Sequence, residues 1–379
     1  MISLADWKAT KRQIKLVNQV LKSGRLTYGS FTRRFEKKFA ELHNRKYAIF
    51  TNSGTSALQV SLYYLKDKYG WKDGDEVIVP ALTFVATVNV ILQNRLKPVL
   101  VDVDDTYNID TELIQRAITK RTRAILPVHL LGQPARMNKI MRIAKKYKLK
   151  VVEDSCEAMF VRYKGKPVGS QGDIACFSTY LAHIISTGVG GFIVTNNKED
   201  ADAMRSMIWH GRDNLYLSID DNKNAPLEVM IHARFKFNRI GYSYRLTELE
   251  AALGIDEVDR WKQIIKKRQK NAEYLLKKLS KFKIILPKIA QGAEHCWMFF
   301  PIMVWDDRDK LAVFLEKKGV QTRLIMPLTN QPVYKGMWDE MDYPIARVIN
   351  NRGLLIGCHQ FLTRKDLDYV VQCFEEYYG

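Results

Sequence analysis

Three short stretches of the chain hold residue types that can act on a bound anion or heterocycle. Asn52-Ser53-Gly54-Thr55-Ser56 follows a β-rich run and opens a helical one. Free backbone N–H groups, the helix dipole and the hydroxyls can converge there on a phosphate, although the same Ser-Gly-Thr is equally an ordinary helix N-cap. Val151-Val152-Glu153-Asp154-Ser155 delivers an acidic pair to the end of an apolar strand, where open α/β sheets bind ligands. An aspartate in that place can pair with a pyridinium nitrogen and strengthen such a ring as an electron sink; capping of the next turn is the plainer role. The third stretch, Phe177 to Gly191, runs from a strand through a polar loop containing His183 into Gly188-Val189-Gly190-Gly191. Closely spaced glycines permit tight backbone contact with a bound group, and the histidine in that loop is either a proton carrier or a satisfied structural residue.

These stretches need a frame that brings strand ends together. From Lys46 to Asn196 short β-rich runs alternate with helical ones, which predicts a parallel sheet with crossover helices. The predicted strands are Tyr47 to Phe50, Glu76 to Val79, Pro98 to Val101, Ala124 to Pro127, Val151 to Glu153, Ile174 to Ser178 and Gly191 to Thr195. One long helical pattern runs from Leu246 to Phe282 and would connect two lobes. After Pro287 come a strand at Trp297 to Val304, a helix from Asp307 to Lys318 closed by Gly319, and a last helix from Lys365 to Tyr378. A chain of 379 residues exceeds what one core usually holds. The expected division is a large α/β domain over 1–250, including the N-terminal segment, and a linker helix with a small C-terminal α/β domain over 251–379.

With 46% hydrophobic and 27% charged residues the composition is that of a folded globular chain. The net charge of +19 raises nucleic acid as a partner. Its lysines, however, alternate with Ile, Leu and Met in helical segments such as Lys139 to Lys150 and Arg260 to Lys283, the pattern of a solvated helix face. A phosphate-rich small substrate is expected instead, with no nucleic acid. Five cysteines, at 156, 176, 296, 358 and 373, are odd in number and widely spaced, so neither a disulfide framework nor a metal site is expected. Val77 to Leu92 is too interrupted to span a bilayer, and Met1 to Lys11 has no signal-peptide core. A cytoplasmic protein without membrane partners follows as the expectation.

Further motifs carry a resemblance. Thr27-Tyr28-Gly29, the run from Asn52 to Leu58, Val79 to Thr87, Asp102 to Asp110, Pro127 to Pro134, Glu153-Asp154 and Gly241 to Glu248 resemble, in order, the signatures of the DegT/StrS-type sugar aminotransferases. Thr322-Arg323, Gln331 to Tyr334 and Gly353-Leu354-Leu355 continue the likeness to the carboxy terminus. The resemblance implies the fold-type I transferase fold dependent on pyridoxal phosphate (aspartate aminotransferase-like), with a large mixed or parallel sheet and a smaller C-terminal α/β domain. It implies a homodimer with shared active sites. By position, Asp154 would hold the pyridine nitrogen, Phe84 would stack on the ring, and Ser53, Gly54, Thr55 and Ser178 would bind the phosphate. Glu157 would lie near the ring's substituents, and Ser243 would approach the phosphate from the partner subunit. Tyr28, Arg245, Arg323 and His359 would contact the substrate. Relatives commonly carry Asn at the Ser243 position and Glu at the Val189 position.

In family aminotransferases the cofactor-binding lysine stands where this chain has His183, and no lysine occurs between Lys166 and Lys198. An imidazole has no primary amine with which to hold the cofactor covalently, but it can move a proton. The chain is similar in this respect to the GDP-4-keto-6-deoxymannose 3-dehydratase branch, and Gly357-Cys358-His359-Gln360 resembles that branch's carboxy-terminal motif. That resemblance implies a dehydratase using pyridoxal and pyridoxamine phosphate, with glutamate as amino donor, a nucleotide-linked 4-keto-6-deoxy sugar as substrate, and His183 and Asp154 as catalytic residues. Pro327 to Tyr334, in contrast, is more similar to the sugar aminotransferases, so an aminotransferase lacking the usual lysine is the alternative. A non-catalytic relative that binds sugar nucleotides is the second. A related CDP-sugar branch that carries an iron–sulfur cluster is disfavoured by the cysteine spacing.

Overall fold

The predicted strands do meet in one sheet. The computed structural model describes residues 1–212, 226–233, 235–325 and 327–379. Its large sheet has seven strands in the order β1 (Tyr47–Thr51), β9 (Gly191–Thr195), β8 (Ile174–Ser178), β5 (Lys150–Asp154), β4 (Thr122–Ile125), β2 (Glu76–Pro80) and β3 (Lys97–Val101). Pairing is parallel except at β9, which runs against both β1 and β8. The strands are almost entirely buried, as expected of a sheet covered on both faces. The pairing makes this a mixed, mainly parallel sheet, as the alternating pattern predicts.

Between β5 and β8 lies a two-stranded hairpin, β6 (Arg162–Tyr163) with β7 (Lys166–Pro167). The second sheet has the order β10 (Ile284–Ile285), β11 (Phe300–Val304), β13 (Gly353–Ile356), β12 (Thr322–Leu324). Its core combines Phe300, Ile302, Leu354 and Ile356 with Leu275 and Leu279 from the helix Trp261–Leu279, and Leu367 and Phe374 from the last helix, Arg364–Tyr378.

One expectation changes. The single long helix is two, Glu248–Asp259 and Trp261–Leu279. The break is at Arg260 (φ −100, ψ 3), whose guanidinium turns back onto Asp256 and Glu257, at 2.9 Å from each. The N-terminal segment packs mainly in the large core through Leu4, Leu16 and Val20, and its first residues also reach the second unit. Ile2 bridges Val320, and the Gln321 N–H donates to the Ile2 carbonyl at 2.9 Å. Ile2 is buried in that second core. No helix among the described residues is long and apolar enough to cross a membrane.

Candidate active site

The carboxyl ends of β5 and β8 and the start of the helix Gly54–Tyr69 open on one cavity of about 390 Å³. Two glycines let these pieces close on each other. A Cβ at Gly191 would lie 2.5 Å from the Gly54 nitrogen, and one at Gly54 would lie 2.7 Å from Cys156 Sγ and 2.9 Å from Ser178 Cβ. Ser53 caps the helix by accepting from the Ser56 N–H at 3.0 Å. The N–H groups of the first turn, at Gly54 and Thr55, belong to those no intrahelical bond uses, and they sit at the positive end of the dipole beside the Ser178 hydroxyl in the cavity wall.

Asp154 ends β5 and is almost wholly buried. Its Oδ2 accepts from the Thr87 hydroxyl at 2.8 Å, and its Oδ1 from the Cys156 N–H at 3.2 Å. Thr87 and Thr83 hydroxyls are 2.9 Å apart. A hydroxyl has one proton, and Thr87 gives its proton to Asp154, so Thr83 must donate to Thr87. The two threonines form a directed chain that ends on the carboxylate. Burial pushes the Asp154 carboxyl up, and the Cys156 and Thr87 donors oppose that rise.

The other half of the acidic pair does different work. Glu153 points away from the cavity, 3.0 Å from His129 Nε2, and accepts from the backbone N–H groups of Gly169, Gln171 and Gly172. His129 Nδ1 accepts from the Ala135 N–H at 2.9 Å, so its Nε2 carries the proton toward Glu153. The pair is structural. A strand alternates its faces, which separates the two neighbours.

Glu157 lines the cavity and accepts the N–H of Leu131 at 2.7 Å. Leu131 holds a left-handed φ of 56°, rare for a branched residue, and that turn aims its N–H at the carboxylate. Burial pushes the Glu157 carboxyl up to about 7; the Leu131 N–H and the cation of Arg323, another cavity residue, counteract it. His183 stands in the wall with its Nδ1 unpaired among the described residues. Burial lowers its imidazole to about 4, so the ring is neutral at pH 7. Phe84 offers a ring that is 66% exposed at the cavity's rim.

The cavity therefore gathers Ser53, Gly54, Thr55, Phe84, Asp154, Glu157, Ser178, His183 and Arg323. Tyr28, Ser243 and Arg245 form a separate group around Trp209. The Tyr28 ring lies edge-on to Trp209 at 6.3 Å and the Arg245 guanidinium 5.0 Å from that indole, while Arg245 Nη1 donates to Ser243 Oγ at 2.9 Å. The Tyr28 hydroxyl is directed to Glu36 at 3.2 Å. His359 lies away from the cavity: it is buried with Nε2 3.1 Å from the Ser3 carbonyl, because its segment packs on the N-terminal residues. Sequence reasoning assigned no role to Thr83, Thr87 or Cys156; the spacing of the two threonines by one helical turn, just after a strand, was the available signal.

Residues 8–375 match the DegT/DnrJ/EryC1/StrS aminotransferase family. The chain belongs to that family. Among its DegT-family relatives, a GDP-perosamine synthase of Caulobacter vibrioides is 33% identical, covering 92% of this chain and 90% of the relative. A GDP-4-keto-6-deoxy-D-mannose 3-dehydratase of Escherichia coli O55:H7 is 30% identical, covering 94% and 95%. The structure of a histidine-to-asparagine variant of GDP-4-keto-6-deoxymannose-3-dehydratase with bound GDP-perosamine superposes with a TM-score of 0.88 at 28% identity, covering 98% of this chain and all of the other. Both aminotransferases and 3-dehydratases thus stand among the family members this chain is similar to.

Proposed function

We propose that the protein is a nucleotide-sugar 3-dehydratase dependent on pyridoxal and pyridoxamine phosphate, which removes the C3 hydroxyl of a GDP-linked 4-keto-6-deoxy-hexose. Glutamate is the amino donor and His183 the base. The observation that carries this reading is the wall of the cavity: an imidazole stands on the loop after β8, and no lysine lines the cavity among the described residues.

The residues fit the family's cofactor. The helix start at Ser53, Gly54 and Thr55, with Ser178, is an anion cradle in which a Cβ at Gly54 would already collide with its neighbours. Asp154 presents a buried carboxylate for a ring nitrogen, and Phe84 a free aromatic face. When bound, the pyridoxamine form supplies the amine that condenses with the sugar ketone and a conjugated ring through which electrons reach C3. Asp154 keeps the ring nitrogen protonated. His183, neutral at physiological pH, accepts the proton released at the cofactor's C4' carbon without first having to lose one of its own. The sugar loses one oxygen, and glutamate ends as 2-oxoglutarate and ammonia.

Two consequences are measurable. Thr87→Val removes the donor on Asp154 while keeping the shape; a lost hydrogen bond to a charged group is worth roughly 1.5 to 3 kcal/mol. Cofactor affinity, followed by absorbance titration, should fall about tenfold or more, and Thr87→Ser should restore it. Unchanged affinity in Thr87→Val would remove the threonine chain from the site. The second consequence concerns assembly. Leu227, Ile231, Phe235 and Ile240 each expose most of their apolar side chains, Phe235 and Ile240 at 80%, and exposed apolar groups of this size are typical of surfaces that meet a partner. A homodimer should bury them and bring the partner's Ser243 group to the cavity. Sedimentation showing an active monomer at assay concentration would contradict this.

One observation favours a second reading, transamination of the sugar. The segment Pro327 to Tyr334 resembles the aminotransferases, and it packs beside the cavity through the Leu328 N–H on the Ala81 carbonyl at 3.0 Å and the Tyr334 hydroxyl on Asn89 at 2.6 Å. Incubation with glutamate and a panel of GDP-, CDP-, UDP- and dTDP-4-keto-6-deoxy sugars, followed by mass spectrometry, separates the readings. A product one oxygen lighter supports dehydration; an amino sugar from every substrate turned over would replace it with transamination.

A further inference from the structure

The helix Trp261–Leu279 buries one arginine that the proposed reaction does not use. Arg268 is 2% exposed, and no ion pair to it occurs among the described residues, although an unpaired buried cation is costly. Its guanidinium is met by oxygens from three distant segments. Nε donates to Gln360 Oε1 at 2.8 Å, Nη1 to the carbonyls of Trp297 and Met298 at 2.9 and 3.1 Å, and Nη2 to the carbonyl of His183 at 3.4 Å. Two of these acceptors, on His183 and Met298, belong to residues that line the cavity.

Besides the edge-on ring of Tyr180, 6.1 Å away, the His183 side chain has few holds. Its Nδ1 is unpaired among the described residues, so the placement of the ring depends largely on its backbone. That backbone is fixed by the His183 N–H on the Tyr180 carbonyl, at 2.9 Å, and by Arg268 on the carbonyl side. A planar guanidinium with donors in a fixed fork transmits orientation in a way an ammonium cannot. Gln360, in turn, occupies the Nε edge and sets the plane of the fork. His359, its neighbour, is turned to Ser3, and the Gln360 side chain is the part of the segment 357–360 that meets the guanidinium.

We propose that Arg268 is a positioning residue for His183 and that Gln360 orients Arg268, so that the carboxy-terminal Gly-Cys-His-Gln segment acts on the base through the guanidinium. This rests on the reading of His183 as the base. Arg268→Lys keeps the charge and loses the fork; Gln360→Leu loses the orienting oxygen, and Gln360→Glu keeps it. Misplacement of a reacting group by about 1 Å costs about a hundredfold in rate. In Arg268→Lys and Gln360→Leu, kcat should therefore fall ten- to a hundredfold with KM and cofactor affinity within threefold of the parent, and Gln360→Glu should recover most of the rate.

The readout that needs no turnover is the imidazole resonance of His183 in the cofactor-free protein, assigned by its loss in His183→Asn. It should shift or broaden in Arg268→Lys and Gln360→Leu while the His129 resonance stays in place. An unmoved His183 resonance with unchanged kcat overturns the proposal, as does a parallel fall of cofactor affinity, KM performance and thermal stability. Should Arg268→Lys fail to fold, Gln360→Leu decides alone. Wild-type turnover in His183→Asn would instead overturn the reading of His183 as base, and the resonance test distinguishes that failure from failure of the arginine link.

Discussion

His183→Asn is expected to lose about 10² to 10⁴ of the parent turnover, the usual range for a general acid–base group, while binding cofactor with near-parent affinity. Asparagine keeps much of the size and polarity of the imidazole but cannot carry a proton at neutral pH. The other groups proposed to hold the cofactor, the Ser53 to Thr55 helix start, Ser178 and Asp154, are untouched by the change. His183→Lys tests the same position from the opposite side. It places a primary amine where family aminotransferases have one, so visible absorption of the bound cofactor should shift and borohydride should fix the cofactor to the protein. Dehydration should then fall, because the cofactor has to be released from the lysine before the pyridoxamine form can accumulate. Parent-level dehydration by His183→Asn, or borohydride trapping of cofactor on a lysine of the unmodified protein, would contradict the assignment.

Asp154→Asn is expected to be the second large loss. The carboxylate is buried at the cavity wall and accepts from Thr87, and the amide that replaces it keeps an acceptor for the Thr87 hydroxyl but cannot keep a ring nitrogen protonated. Removing one preorganised electrostatic partner costs about 10² to 10³ in rate. Turnover should fall by at least that much while circular dichroism and sedimentation stay those of the parent. The neighbouring Glu153→Gln provides the contrast. Glu153 is tied to His129 and three backbone N–H groups, so its loss should appear in thermal stability before it appears in rate. Normal activity in Asp154→Asn would take this residue out of the site.

Much of the frame was legible because the central strands are short apolar runs of β-branched residues, such as Val151-Val152 and Ile174, ended by polar residues at the cavity. All seven predicted strands fall in the large sheet. What was not legible depends on distant partners. Nothing near Ile2 announces that it will bridge Val320, and the break at Arg260 is a side-chain choice that helical periodicity does not encode. The same holds within the site. Glu153 and Asp154 look alike in sequence, and only the alternation of the strand gives one to the cavity and the other to His129. The motif residues Tyr28, Arg245 and Ser243 gather around Trp209 rather than in the cavity of their own chain, a relation that a single linear sequence does not display. Arg268 lay unremarked in a lysine-rich helix because its partners come from residues 183, 297, 298 and 360.

The fate of the donor nitrogen tests the central claim most directly. The protein is incubated with cofactor, nitrogen-15-labelled glutamate and GDP-4-keto-6-deoxymannose, and the label is followed in free ammonia and in the sugar product. Dehydration at His183 predicts that the label leaves as ammonia, in step with 2-oxoglutarate, and that the sugar is one oxygen lighter and free of nitrogen. Label retained on the sugar, with its C3 oxygen in place, would contradict the account and make the protein an aminotransferase.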